Sequence, residues 1–377
     1  MNEWLIKYSQ TAYRDGDLRR KSMNGFRVLI KTIIGFLIKP RILEKENLYI
    51  FEGIRNKEYM AYFSPSSVVV VGSYVEKAFA KKNGYGFCWS FPMVCAIHSN
   101  HARSWKIPVA RQLKLWINEL SRFKRIVIFN YEDTQALGCF FVNLSRMLKP
   151  ACTSVCIQHG YFMRSESEIR LDGKLSDISF VWDEIQGELI NNIRASTFVV
   201  GLPYEASAKA SNELQVILVG TGIKTVFTDK YERTMKCYME INKIFTSAGM
   251  KVLYRPHPNE FNDKNHIDEL NKRFVLIADI NKFNQLNGPR SIFIGTESSL
   301  LYEAGVAGHY VARLDIESKA GTLIKSDFNF SDNQISILLT WALDLKNKKS
   351  RPSATNISQL LPLERFASAL RQSKLID

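Results

Sequence analysis

Short apolar runs rich in β-branched residues recur along the chain, separated by stretches with helical periodicity. In the first half the runs are NLYIF (47–51), SVVVVGS (67–73), RIVIFN (125–130), TSVCIQHG (153–160), ISFVW (178–182) and TFVVG (197–201). The second half restarts with LQVILVGTG (214–222), KVLYRPHP (251–258), RFVLIAD (273–279), SIFIGTE (291–297) and HYVARLD (309–315). This alternation predicts parallel α/β architecture, and the near-continuous apolar runs predict strands covered by helices on both faces. Between the halves, LPYEASAKASNE (202–213) is small, polar and punctuated by proline, as a linker is. The expected organisation is a basic amphipathic segment (1–45), a Rossmann-like domain (46–203), a linker (204–213), a second Rossmann-like domain (214–357) and a closing helix (358–377) that crosses back to the first domain. The two doubly wound domains are expected to face a cleft.

In sheets of this kind ligands sit beyond the carboxyl ends of the strands. The unusual polar groups of this sequence fall there: YEDT after the run ending at Asn130, QHG at 158–160, GTG at 220–222, RPHP at 255–258 and GTESS at 295–299.

The segment SIFIGTESSLLYEAGVAG runs from a strand into a helix through Gly295, Thr296, Glu297, Ser298 and Ser299. Small residues at a helix start leave backbone N–H groups free for phosphate oxygens, assisted by the positive end of the helix dipole. Ser298 also reads as an ordinary N-cap. Glu303 follows Ser299 by one helical turn and fits either a ribose diol or a solvated surface acid. In YRPHPNE, prolines on both sides of His257 exclude helix at Arg255 and His257 and hold the imidazole in an extended loop. There His257 can bond or protonate a phosphate leaving group while Arg255 neutralises its charge.

The 377 residues are enough for two domains. Their six cysteines form no C-x-x-C pair, so neither a disulfide framework nor a zinc site is indicated, and a reducing cytoplasm fits. The N-terminus lacks the apolar core of a secretory signal, and no stretch reaches the roughly 20 apolar residues that span a bilayer. No metal is expected, because the only D-x-D, Asp15-Gly16-Asp17, follows no strand.

A formal charge of +14 calls for an anionic partner. Between Arg19 and Arg41 seven basic side chains (Arg19, Arg20, Lys21, Arg27, Lys31, Lys39, Arg41) surround an apolar core with no acid. This stripe fits a helix adsorbed on an anionic membrane or an ordinary packed helix with solvated lysines. In ARSWKIPVARQLKLWINELSRFKR (102–125), Leu113, Leu115, Trp116, Ile117 and Leu120 fit a helix packed on a sheet. No nucleic-acid-binding module is legible, and nucleic acid is not an expected partner.

The order of these motifs, H-P, then S-S at a helix start, then a glutamate, resembles the bacterial sialyltransferases and polysialyltransferases of the two-Rossmann GT-B type. Those are similar in turn to capsule Kdo transferases and CDP-glycerol glycerophosphotransferases. The resemblance covers about 133–315 and implies that His257 and Pro258, with Ser298 and Ser299, hold the cytidine monophosphate of a donor. Gly220, Thr221, Gly222, Arg255, Gly295, Thr296, Glu297 and Glu303 would complete that site. An acidic D/E-D/E-G motif supplies the base in those enzymes; here Glu132 and Asp133 are followed by Thr134 in place of glycine. His159 is the alternative base, by similarity to the glycerophosphotransferases, or it is satisfied by a neighbouring carbonyl. The resemblance implies transfer of an acidic nine-carbon sugar from a CMP donor to a surface glycan or lipid-linked glycan, with no cofactor; the basic stripe adds the expectation that the enzyme is peripheral to the cytoplasmic face of the membrane.

Three other readings stay open. One is transfer of a polyol phosphate from CDP-glycerol, or of Kdo by a Kdo transferase; another is a non-catalytic nucleotide-sugar-binding partner. The third is a non-hydrolysing epimerase: YEDTQALGCFFVNL and VCIQHGYF are similar in layout to the G-D-T and H-V-E-A-G segments of UDP-N-acetylglucosamine 2-epimerases, although QHGYF lacks the glutamate of the second segment.

Overall fold

The structure is a computed structural model, and it describes residues 42, 47–93, 106–133, 136–160, 173, 175–191, 196–211, 213–220, 228–261, 263–279, 281–296, 298–316, 325–348 and 361–376. The basic segment 19–41 lies outside these residues, as do Asp15, Asp17, Thr134, Thr221, Gly222 and Glu297. The chain forms two compact units. The first takes the described residues up to His159, those from 173 to 203 and those from 361 to 376; the second takes Gly160 and those from 204 to 348.

Seven parallel strands build the first unit: β1 (Asn47–Glu52), β2 (Val68–Gly72), β3 (Gly86–Trp89), β4 (Arg125–Asn130), β5 (Cys152–Ile157), β6 (Ile178–Val181) and β7 (Ser196–Val199). Their order is β3-β2-β1-β4-β5-β6-β7, so the winding reverses between β1 and β4. The connecting helices are α1 (Tyr74–Lys82), α2 (Lys106–Leu120), α3 (Ala136–Met147) and α4 (Glu184–Asn191). Leu113, Trp116 and Leu120 of α2 are buried in one core layer with Ile50, Ile128 and Phe141, and Leu115 is buried as well.

The second unit has five parallel strands: β8 (Gln215–Val219), β9 (Val252–Arg255), β10 (Ser291–Gly295), β11 (Tyr310–Leu314) and β12 (Phe328–Phe330). They lie in the order β12-β11-β10-β8-β9, with the reversal between β8 and β10. Helices α5 (Thr228–Ser247), α6 (Lys264–Asn271), α7 (Ser299–Val306) and α8 (Ile335–Lys348) surround them. The segment 204–211 belongs to this unit: Lys209 donates to Gly288 O at 2.8 Å, and Ala208 donates to Ala307 O at 2.7 Å.

The last helix, α9 (Pro362–Gln372), packs in the first unit, where Phe366 stacks on Tyr59 with ring centroids 4.2 Å apart. Proline at its first position needs no N–H partner there.

Two strand expectations need correction. RFVLIAD (273–279) forms no strand; its only ladder contact is a single bridge from Leu276 to Tyr254, and Val275 is exposed. Gly86–Trp89 and Phe328–Phe330 are strands that the apolar pattern did not mark. Among the described residues no helix is long and apolar enough to cross a membrane.

Candidate functional site

The carboxyl ends of β8 and β10 flank the reversal point of the second sheet, where a doubly wound fold leaves room for a ligand. Gly220 follows β8, and its N–H donates to Arg255 O at 2.8 Å. A methyl group on Gly220 would collide with the Glu260 carboxylate and come within 2.7 Å of His257 N, so only glycine lets these two strand ends approach so closely. Glu260 is buried; it accepts the His257 N–H at 2.7 Å and the Tyr254 hydroxyl at 3.1 Å. The loop that carries His257 is thus pinned from below by Glu260, while Pro258 opens a short helical turn, Pro258–Phe261. Burial, with Arg255 adding its charge, pulls the His257 pKa below the usual histidine value, so the imidazole is neutral at neutral pH.

Thr296 follows β10 and is buried, with a hydroxyl that has no hydrogen-bond partner. Ser298 caps α7 by accepting the Leu300 N–H at 3.3 Å, and Ser299 is the first residue of that helix. Gly295 ends β10 against Leu301 and Val219. Glu303 is not the solvated acid that its helical position allows. It is buried, and one carboxylate oxygen lies 2.9 Å from Lys282 Nζ, which sits over the Tyr204 ring at 4.8 Å. Burial lowers the Arg255 pKa and the Glu303 charge opposes that shift, so buried Arg255 and Glu303 form one charge set with the half-buried Lys282. The set retains one net positive charge beside the strand ends.

In the first unit the polar groups gather at the ends of β1, β4 and β5, again around the reversal point. Glu132 Oε1 lies 3.3 Å from His159 Nε2 and 3.4 Å from Arg55 NH1. Burial alone would raise the Glu132 pKa, but the His159 hydrogen bond and the charges of His159 and Arg55 outweigh it, and the carboxyl is held below its usual range. His159 Nδ1 lies 2.7 Å from Tyr131 O; a carbonyl only accepts, so Nδ1 carries a proton and Nε2 faces the carboxylate. Arg55 also lies over the Tyr131 ring at 4.7 Å. Beneath this rim the side-chain amide of Asn130 is fully buried with no partner on either atom. Gln158 anchors the other side, accepting from Trp182 N at 2.7 Å and donating to Gln186 at 2.8 Å.

Asp133 does not share in this centre. It is fully buried, and its oxygens accept the N–H groups of Gly173, Leu175 and Ser176 at 2.8, 2.9 and 2.8 Å. Its carboxylate ties down the loop before β6 and has no path to an acceptor hydroxyl, which removes it as a base. Glu132 and His159 are brought together; Arg55, Glu260 and Lys282 are contacting neighbours to which the sequence reading gave no role. Among the described residues no cluster of three His, Cys, Asp or Glu side chains is placed to hold a metal ion.

No protein-family model and no curated protein matches the sequence. The fold is shared with solved structures at low identity. UDP-GlcNAc 2-epimerase of Methanocaldococcus jannaschii, in complex with UDP-GlcNAc and UDP, is 12% identical with a TM-score of 0.53, covering 86% of this chain and 99% of that one. The UDP co-structure of S. aureus MnaA is 12% identical with a TM-score of 0.51, covering 88% of this chain and 98% of that one. These likenesses show the two-Rossmann architecture, the GT-B-like fold of the M. jannaschii epimerase.

Proposed function

We propose that the protein is a nucleotide-sugar-processing enzyme whose second unit holds the nucleotide diphosphate or monophosphate and whose first unit supplies proton transfer. The observation that carries this reading is the set of groups around β8 and β10: Gly220, His257, the partnerless Thr296 hydroxyl, and Ser298 and Ser299 at the start of α7. Small hydroxyls, a neutral imidazole and a helix start suit phosphate oxygens. Arg255 and Lys282 add positive charge behind them. Glu132, with His159, is the proton-transfer pair in this reading.

Two chemistries fit such a site. Epimerisation of a nucleotide-linked amino sugar is favoured by the fold, because the solved structures it matches include UDP-GlcNAc 2-epimerase. Transfer of an acidic sugar from a CMP donor is supported by the H-P and S-S motifs at 257–258 and 298–299. Incubating the protein with UDP-GlcNAc, CMP-sialic acid and CDP-glycerol, with and without a glycan acceptor, and following the sugar signals by NMR decides between them. A new C2 epimer without acceptor supports epimerisation; acceptor-dependent release of CMP supports transfer; acceptor gain of glycerol phosphate supports polyol-phosphate transfer. No turnover of any donor, with nucleotide binding retained, refutes enzymatic function and leaves a binding module.

The stripe from Arg19 to Arg41 carries a proposal of its own, that the protein adsorbs to the cytoplasmic face of an anionic membrane near lipid-linked acceptors. Co-sedimentation with anionic but not neutral vesicles, reversed by salt, is the expected result; equal sedimentation with both refutes it.

A further inference from the structure

The rim of the first sheet carries a feature that proton transfer does not use. Strands β2 and β3 end side by side, with Gly72 paired to Trp89. Ser73 caps α1, and Glu76 turns back to accept the Ser73 N–H at 2.7 Å and its hydroxyl at 2.5 Å. Any side chain on Gly72 would strike Glu76, so the glycine is what allows this tight start. The first two residues of α1 are thereby turned outward, Tyr74 80% and Val75 65% exposed. Tyr74 meets Trp89 edge to face at 4.9 Å, and Phe87 meets the same ring at 4.9 Å. Lys77 Nζ lies 5.1 Å from the centre of Trp89, and Lys81 and Lys82 are exposed on the same helix. Phe91, just past β3, is 49% exposed.

Exposed aromatic rings in one cluster mark a recognition surface more often than a solvent face. We infer that Tyr74, Trp89 and Lys77, with Lys81 and Lys82, form a subsite for an acidic oligosaccharide. The C–H face of a pyranose packs on an aromatic ring, while the ammonium groups pair with carboxylates along the glycan. Charge complementarity specifies an acidic ligand: the only acid of α1, Glu76, is engaged in the cap. Position specifies a glycan over a lipid surface. The cluster lies at the carboxyl edge of the sheet, where β2 pairs with β1 and β1 with β4, so it shares that edge with the Glu132 and His159 pair. The inference deepens the transfer reading, since an enzyme acting on a free nucleotide sugar has no use for an extended glycan subsite.

The test uses the full chain without nucleotide, titrated with a sialic-acid tetramer, a uronic-acid tetramer and a neutral maltotetraose, and separately with phosphatidylglycerol vesicles. The expected result is binding of an acidic tetramer, little binding of maltotetraose, and about tenfold weaker binding in Tyr74→Ala and in the Lys77→Gln, Lys81→Gln, Lys82→Gln triple variant. Both variants change exposed side chains, and unaltered circular dichroism and melting temperature check that they fold. Unchanged glycan affinity in the variants, no glycan binding by wild type, or vesicle binding alone lost in the same variants each overturns the inference. Parallel titration with CMP and UDP separates the two proposals: nucleotide binding without glycan binding sinks this one and leaves the nucleotide site, whereas glycan binding without nucleotide binding does the reverse.

Discussion

At Gly220 one methyl group decides whether the strand ends of the second sheet can meet. Its added carbon would overlap Glu260 and lie 2.9 Å from Arg255 O, so the His257 loop would have to move. Gly220→Ala is expected to keep secondary structure, lower stability by about 1–3 kcal/mol and weaken nucleotide binding; calorimetric titration with wild-type affinity would show that the loop is not part of the site. His309 gives a separate, purely structural reading. It is fully buried, with Nε2 donating to Leu286 O at 3.0 Å and Nδ1 accepting the Ser291 N–H at 3.2 Å, which fixes the neutral form. Burial lowers its pKa to about 4, with the Leu286 carbonyl opposing and Arg290 assisting. In the unfolded chain a histidine titrates near ~6.5. The contribution to stability is therefore complete above that value, declines as pH falls toward about 4, and levels off below, a loss of about 3 kcal/mol. Urea midpoints across this window should fall in wild type and flatten in His309→Gln. The sequence made His257 legible through its flanking prolines, and Glu132 and His159 through their strand-end positions. It did not show that Asp133 is consumed by three backbone N–H groups, because those donors lie about 40 residues away. Arg55 and Lys282 were invisible for a similar reason: each acts through a partner that only folding brings near, whereas Glu260 bonds Tyr254 and His257 within its own loop, in a role that shows only once the loop is folded.

Elements divide by how strongly their local pattern competes with their surroundings. Strands β1, β2, β4, β8 and β10 are buried almost throughout, and their uninterrupted apolar runs announce them. β3 escapes the pattern because it is four residues long, begins with glycine and sits at the edge of its sheet, where only β2 pairs with it. RFVLIAD carries the right composition but lacks a second ladder partner, so its hydrophobicity is used only in part, with Phe274 buried and Val275 exposed. The start of α1 shows how a single junction serves packing and recognition together. Glu76→Ala removes the reciprocal cap on Ser73, and the expected cost is about 1 kcal/mol, read as a lower melting temperature. The same change frees the first turn of α1, so ordering of Tyr74 beside Trp89 should weaken too, visible as altered tryptophan fluorescence. An unchanged spectrum with lowered stability would mean that the cap serves the helix alone.

On the scale of the molecule, the two units have separate cores, and the route of the chain makes one of them depend on its last residues. The core of the second unit is made from residues between Val216 and Ala342, whereas Phe366, Ala369, Leu370 and Leu375 belong to the core of the first. Around Phe366 stand Tyr59, Tyr62, Phe63, Phe129 and Phe180, all within 6.1 Å between ring centres. Arg365 adds bonds to Val200 O at 2.9 Å and Leu202 O at 3.0 Å. The alternation of runs and helices made two domains legible, but the aromatic socket that receives Phe366 is assembled from three separate stretches and leaves no local trace. Emptying such a site by Phe366→Ala costs about 3–5 kcal/mol, a large share of the 5–15 kcal/mol that ordinarily holds a domain together. Deleting residues 361–377 removes the whole helix and should unfold the first unit while the second retains its core. Differential scanning calorimetry should then show the transition of the second unit persisting and that of the first lost. Nucleotide binding, if it resides on the second unit as proposed, should survive the deletion. A truncated chain that melts in one transition, shifted as a whole, would show that the two cores unfold together despite being built from different residues.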